Sequence, residues 1–222
     1  MTKTGDAARP TAELDADSIL DTIRSRQREI SIGAIAIAAI AVVAWLWHGS
    51  VVQKQERGER ALNMAANSYY SGNKALAKTD LEKVAERYSG TAPGIQGAML
   101  LAQVLYETGE YDAGIKELEK VKRSGGTGAF AASLEGLIAA GYSEQKKYDE
   151  AAKRYLVAAD KSPFPADKDM YSAEAARELT MTGKKAEARR IWSEIVIRND
   201  SPVVGEAKIR LGELDAQAAP KN

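Results

Sequence analysis

From Ile30 to Trp47 the chain reads ISIGAIAIAAIAVVAWLW, an apolar run in which only Ser31 and the two tryptophans offer a polar group. At about 1.5 Å of rise per residue, a helix of this run spans roughly 27 Å, close to the hydrocarbon thickness of a bilayer. A core helix of a soluble domain would show a polar stripe, and no face of this run has one. Residues 30–47 are therefore expected to form a transmembrane anchor. Upstream, Ile19, Leu20, Ile23, Gln27 and Ile30 fall at helical spacing, so a short helix is predicted from Ser18 into the anchor. Beyond His48 the apolar residues recur every three or four positions in blocks separated by turn residues, which predicts a series of amphipathic helices.

Those blocks repeat. GNKALAKTDLEKV from Gly72, GEYDAGIKELEKV from Gly109, KKYDEAAKRYLVA from Lys146 and GKKAEARRIWSEI from Gly183 start 37 residues apart each time. Ala65, Ala102, Ala139 and Ala176 share one column of this register, and Ala77, Gly114, Ala151 and Ala188 share another. Two small columns point to two helices whose backbones approach closely, with Leu81, Leu118, Tyr155 and Trp192 filling the space between neighbouring hairpins. A half-repeat from Pro202 to Gln217, with Val204, Ala207, Leu211 and Gly212 in phase, is expected to cap the last hairpin.

The flanks of the apolar run set its orientation. Arg24, Arg26 and Arg28 crowd its N-terminal side, and no Lys or Arg follows it until Lys54. The positive-inside rule then leaves the N-terminus in the cytoplasm and exports everything after His48, with Trp45 and Trp47 at the far interface. Val42 and Ala44 stand where a signal peptidase would want small residues, but the long charged leader and the continuation through Trp47 favour an uncleaved anchor. Ala34, Ala38 and Ala41 make a small-residue face on which a second helix would pack, or which simply meets lipid. The expected organisation is a partly disordered cytoplasmic tail over 1–29, the anchor over 30–47, a linker over 48–56 and a repeat domain over 57–219.

Composition narrows the function. Lys plus Arg (31) equals Asp plus Glu (31), so no global field recruits nucleic acid. There is no cysteine, which removes disulfides and thiolate metal sites. His48 is the one histidine and lies at the end of the apolar run, so the repeat domain has no histidine-dependent triad. Ser124-Gly125-Gly126-Thr127-Gly128 lacks the Lys-Ser or Lys-Thr of a phosphate loop and reads as an inter-repeat loop. Asp167 with Asp169 and Asp149 with Glu150 lack the glycine and distal glutamate of a calcium loop and read as caps and solvated faces. No cofactor, metal or small-molecule substrate is expected, and the chain is expected not to be an enzyme.

The recurring small residue, the turn of Gly-x-Tyr type, the small residue three positions later and the large apolar residue four after that resemble the tetratricopeptide repeat. Its usual period is 34 residues, so the period here puts about three extra residues in each inter-repeat loop. The repeats are degenerate: Gly114 replaces the second alanine, the loop proline is met only by Pro163, and the aromatic at the start of the first helix is absent. The layout of one anchor followed by degenerate repeats, with PGIQGAMLLA from Pro93 to Ala102, resembles a bacterial family of ancillary subunits of the Sec translocon. That resemblance implies a periplasmic repeat domain held at the inner membrane beside the secretion channel, working with membrane-anchored chaperones on secreted polypeptides. The fold class is accordingly all-α: a transmembrane helix, an α-solenoid of about four hairpins, and a C-terminal capping helix.

In such a solenoid the first helices line the concave side. Counting from the first small column, that lining is Leu62, Tyr69 and Tyr70, then Gln96, Met99, Gln103 and Tyr106, then Ser133 and Ser143, then Met170, Arg177 and Met181. Tyrosine, methionine and glutamine give large, adaptable contact area without demanding one charge pattern, which suits extended or partly folded polypeptide. Packing between adjacent repeats is the alternative for each of them. Only Arg177 among them is basic, which speaks against capture of a C-terminal carboxylate. Three readings compete: a binding module at the translocon, an envelope-assembly scaffold (outer-membrane assembly, cell division or cytochrome maturation), and an unrecognised enzyme.

Overall fold

The computed structural model describes residues 27–125 and 127–218, and every regular element among them is helical. The expected tail up to position 26, with the helix from Ser18, lies outside the described residues. Contacts divide the chain into two units, Met1–Val52 and Gln53–Asn222. Helix α1, Gln27–Tyr70, carries the apolar run and continues as helix through 48–56, the stretch expected as a linker. In the first unit Ile32, Ile35, Ile37, Ile40, Val42, Val43 and Trp45 are all between 56% and 74% exposed. By length and composition α1 is long and apolar enough to cross a membrane.

In the second unit α1 is followed by α2 (Lys74–Arg87), α3 (Ala92–Glu107), α4 (Tyr111–Ser124), a short 3-10 turn (Gly128–Phe130), α5 (Ala131–Glu144), α6 (Tyr148–Lys161), α7 (Pro165–Met181), α8 (Lys185–Arg198) and α9 (Val204–Ala218). These form four hairpins, α1/α2, α3/α4, α5/α6 and α7/α8, with α9 against the last. Each hairpin turn closes the same way. The amides of Asn73, Glu110, Lys147 and Lys184 reach back to the carbonyls of Ser68, Leu105, Tyr142 and Leu179 at 2.8–3.0 Å. This is the left-handed helix ending that satisfies the last free carbonyls, and it needs one residue at positive φ per turn. Gly72, Gly109 and Gly183 supply it, and in the third hairpin Lys146 does so at φ 60°. Helix starts are set by side chains where they can be: Asn73 Oδ1 accepts the Leu76 amide at 3.1 Å, and Thr91 caps α3 ahead of Pro93.

The two small columns are where the sequence pattern puts them. Ala65, Ala102, Ala139 and Ala176 are fully buried, as are Ala77, Ala151 and Ala188, and Gly114 is buried beside the Tyr106 ring. Leu81, Leu118, Tyr155 and Trp192 fill the spaces between them, each in its own apolar cluster. Ala207, Leu211 and Leu214 of α9 join the Trp192 cluster and cover the last hairpin, whereas Gly212 faces solvent.

Three carboxylates are buried among the described residues, and one of them, Asp169, departs from the cap or solvated face expected of it because Arg198 draws it inward. Glu135 on α5, 2% exposed, receives Lys122 at 2.9 Å, Lys161 at 2.7 Å and Arg154 at 3.0 Å, joining α4, α5 and α6. Burial alone would raise its carboxyl, but the bonds from Lys161 and Lys122 outweigh that and hold it below the usual glutamate range. Asp169 is paired with Arg198 across α7 and α8. Glu178 accepts the Ser143 hydroxyl at 2.7 Å, while its other oxygen has no hydrogen-bond partner.

Candidate protein-binding groove

Helical spacing puts Leu62, Ala66 and Tyr70 of α1 on one face, and Gln96, Met99 and Gln103 of α3 on another. The structure brings these six together, with Asn63 and Leu100, around a groove of ≈ 370 Å³ that is open to solvent. Its apolar surface comes from Leu62, Met99, Leu100 and the ring of Tyr70, which is 79% exposed. Its polar groups are three side-chain amides, Asn63, Gln96 and Gln103, and no charged residue lines it. Each amide both donates and accepts, so this lining can meet the polar groups of a peptide backbone while the apolar groups meet its side chains. Asn63, Ala66 and Leu100 were not among the residues read from sequence. Each lies one or four positions from a residue that was, so following the face along the helix would have found them.

The remaining candidates fall elsewhere. The Tyr69 hydroxyl donates to Glu107, which also holds Lys74 at 2.8 Å, so this tyrosine ties α1 to α3 at the turn edge. Its hydroxyl pKa is raised, first by that bond to a carboxylate. Tyr106 does not line the groove. Its ring packs on Gly114 and Gly141, its hydroxyl donates to the Leu137 carbonyl at 3.1 Å, and burial pushes its pKa well up. Two glycines that a Cβ would obstruct make the slot for that ring, and Tyr106 is a spacer between the second and third hairpins. Ser133 is half-buried on α5, Met170 is exposed at the start of α7, and Ser143 is occupied by Glu178.

Arg177 and Met181 meet in a second groove, ≈ 270 Å³, between α7 and α9, with Thr180, Arg210, Glu213 and Leu214 around it and Trp192 beneath. Arg177, Met181, Arg210 and Leu214 stand three repeat periods after Ala66, Tyr70, Met99 and Gln103, so the two grooves occupy the same register. Their chemistry differs. Arg177 is held by Glu174 at 2.5 Å and Glu206 at 2.6 Å, and Arg210 by Glu213 at 3.0 Å. Those bonds, Glu206 foremost, push the Arg177 pKa up and leave both guanidinium groups committed to carboxylates of this chain. They are not arranged to capture a foreign carboxylate.

Among the described residues the acidic pairs do not gather into a metal-holding cluster. Asp149 pairs with Lys184 at 3.0 Å, linking the turns of the third and fourth hairpins, and Lys184 first among its neighbours holds the Asp149 carboxyl low. Gly125, at φ 77°, ends α4, so the glycine-rich stretch serves as a loop; Gly126 lies outside the described residues.

Comparison with known proteins agrees with this arrangement. The tetratricopeptide repeat-like domain family matches residues 26–210. No curated protein matches the chain. Among solved structures, nearly identical TPR-like repeats of a kinesin light chain from Podosopora anserina align over 72% of this chain and 86% of that one, at 16% identity and a TM-score of 0.58. PilF of Pseudomonas aeruginosa aligns over 76% of this chain and 79% of its own, at 20% identity and a TM-score of 0.54. At such identities the likeness is one of fold. The family match spans most of the chain, and the chain belongs to the tetratricopeptide repeat-like domain family, whose members are protein-interaction scaffolds and not enzymes.

Proposed function

We propose that this protein is a membrane-tethered binding module of the bacterial inner membrane, an ancillary subunit of the Sec translocon that assists chaperones with secreted polypeptides. The observation that carries the binding role is the uncharged groove of Leu62, Asn63, Tyr70, Gln96, Met99 and Gln103, which offers apolar anchors and amides to an extended chain. The tether is supported by the exposed apolar run of α1 and by the arginines that precede it. The translocon itself is drawn from the resemblance of the layout and of the stretch from Pro93 to Ala102.

The test is photo-crosslinking in living cells from a crosslinkable residue at Tyr70 or Met99, followed by identification of what is attached. Translocon subunits, chaperones or exported polypeptides are expected, and capture of other envelope complexes instead would make the protein an assembly scaffold. Protease added to spheroplasts should degrade residues after Ser50. Protection of the repeat domain would overturn the periplasmic placement.

A further inference from the structure

In the internal repeats, the face that each first helix turns towards the preceding second helix is filled. Leu101, Val104 and Leu105 of α3 pack there on Leu81 and Val84 of α2. One repeat period earlier this face falls on Met64, Asn67 and Ser68 of α1. Among the described residues no second helix precedes α1 to cover it, and Met64 is 72% exposed where Leu101 is 1%. A groove of ≈ 200 Å³ opens there between α1 and α2, with Ala61, Met64, Val84 and Tyr88 giving an apolar floor and Asp80, Lys83 and Arg87 at its edge. Arg57 and Arg60 lie four residues before Ala61 and Met64, so they extend the same face by one turn.

The charges there are not balanced locally. Lys83 is met by Asp80 at 3.0 Å, and Arg57 reaches only the neutral Gln53 side chain at 3.3 Å. Among the described residues Arg60 and Arg87 have no ion pair. The other end of the array differs: Arg210 of α9 is closed by Glu206 at 3.7 Å and Glu213 at 3.0 Å. The N-terminal slot thus carries Arg57, Arg60 and Arg87 without a carboxylate partner, with Asp80 as the one carboxylate in its lining.

We propose that this N-terminal end of the array docks an amphipathic helix of a partner protein, one whose apolar stripe is flanked by carboxylates. The helix lies where a preceding second helix would lie, its stripe on Ala61, Met64 and Tyr88 and its carboxylates towards Arg60 and Arg87. A helical occupant follows from the register, because a helix fills the equivalent face in the internal repeats. The acidic flank follows from charge complementarity, which fixes partner choice more than raw affinity. This site shares no lining residue with the groove between α1 and α3 and stands or falls without it.

The test uses the full chain in nanodiscs of uncharged phosphatidylcholine and three fluorescent peptides of about sixteen residues. One carries a leucine stripe at helical spacing flanked by glutamates, the second has lysines for the glutamates, and the third is the glutamate peptide with a central proline. Anisotropy should show the glutamate peptide binding at least roughly tenfold tighter than the other two, with weaker binding at high salt. Arg60→Glu with Arg87→Glu should reverse the preference towards the lysine peptide, and Met64→Asp should weaken both. The arginines are exposed, so the double variant should keep the helical spectrum. Equal binding of the two charge types, or of the proline peptide, would overturn the proposal. So would self-association of the chain that the double variant abolishes, which would assign the face to a second copy.

Discussion

At the scale of single residues, two positions test the repeat geometry with opposite signs. Lys146 holds the left-handed turn position that glycine fills in the other three hairpins. A residue with a Cβ pays about 1–2 kcal/mol there, part of which the greater chain freedom of glycine takes back. Lys146→Gly should therefore stabilise a fragment of residues 53–222 by up to about 1 kcal/mol, read as a melting point higher by about 2–4 °C. Gly141 runs the other way. A Cβ there would sit 2.5 Å from the Tyr106 hydroxyl oxygen and 2.8 Å from Ile115 Cγ1. Gly141→Ala should destabilise by about 1–3 kcal/mol despite alanine's better helix propensity, whereas Gly212→Ala, with nothing within 4 Å, should gain up to about 1 kcal/mol. An unchanged melt for Gly141→Ala would mean that Tyr106 moves aside freely. The small columns were legible in the sequence because close helix contact tolerates only Ala or Gly, and that constraint recurs every 37 residues. The role of Tyr106 was not, because a tyrosine serves equally on a groove or between hairpins. What decides is the pair Gly114 and Gly141, whose meeting in space the sequence does not show.

At the scale of elements, the hairpins are joined by apolar clusters and by two buried glutamates of opposite character. Glu135 binds cations from α4 and α6, and its carboxyl is held below the ordinary glutamate value of 4.5. A folded-state pKa below the unfolded one contributes stability at neutral pH, and that contribution is lost as pH falls from about 4.5 through the folded value. Glu135→Gln should cost about 2 kcal/mol at neutral pH. Removing one partner of a fully buried pair costs more, but these cations reach solvent. Glu178 is pushed up by burial first and by Glu174 second, with Ser143 as its hydrogen-bond donor and Arg177 beside it. A raised pKa has the reverse sign: folding is favoured while the group is protonated, and the advantage fades as pH rises from 4.5 through the folded value. Glu178→Gln keeps an acceptor for Ser143 without a charge, so it should be more stable than the parent at about pH 7 and closer to it near pH 4. Urea unfolding of both variants across that range checks the signs, and two parallel profiles would show that the carboxylates act alike. Neither glutamate stands out in the sequence, since a glutamate on a helix reads as surface until the repeat register brings Lys122, Arg154 and Lys161 around it.

At the scale of the whole array, two grooves occupy the same register with different chemistry, neutral between α1 and α3 and ion-paired between α7 and α9. A partner bound along it draws most of its affinity from a few exposed aromatic or flexible apolar anchors, each worth on the order of 1–3 kcal/mol on truncation. Tyr70 meets that description, being 79% exposed, and Met99, half-buried against the Ile95 and Leu118 cluster, lines the same neutral groove. Tyr106 does not, because its removal would open a cavity between hairpins and confound binding with stability. The double variant Tyr70→Ala with Met99→Ala should weaken capture of the crosslinked partner at least tenfold, for which roughly 1.4 kcal/mol suffices, without changing the melting point by more than a few degrees. Lys116 and Lys153 are exposed at equivalent positions of the second helices α4 and α6, away from the groove. Charge reversal at both should alter little beyond a salt-dependent association rate. Full binding by the tyrosine and methionine variant, with loss in the lysine variant, would move the docking face to the second helices and leave the groove between α1 and α3 as a packing feature of the first two repeats.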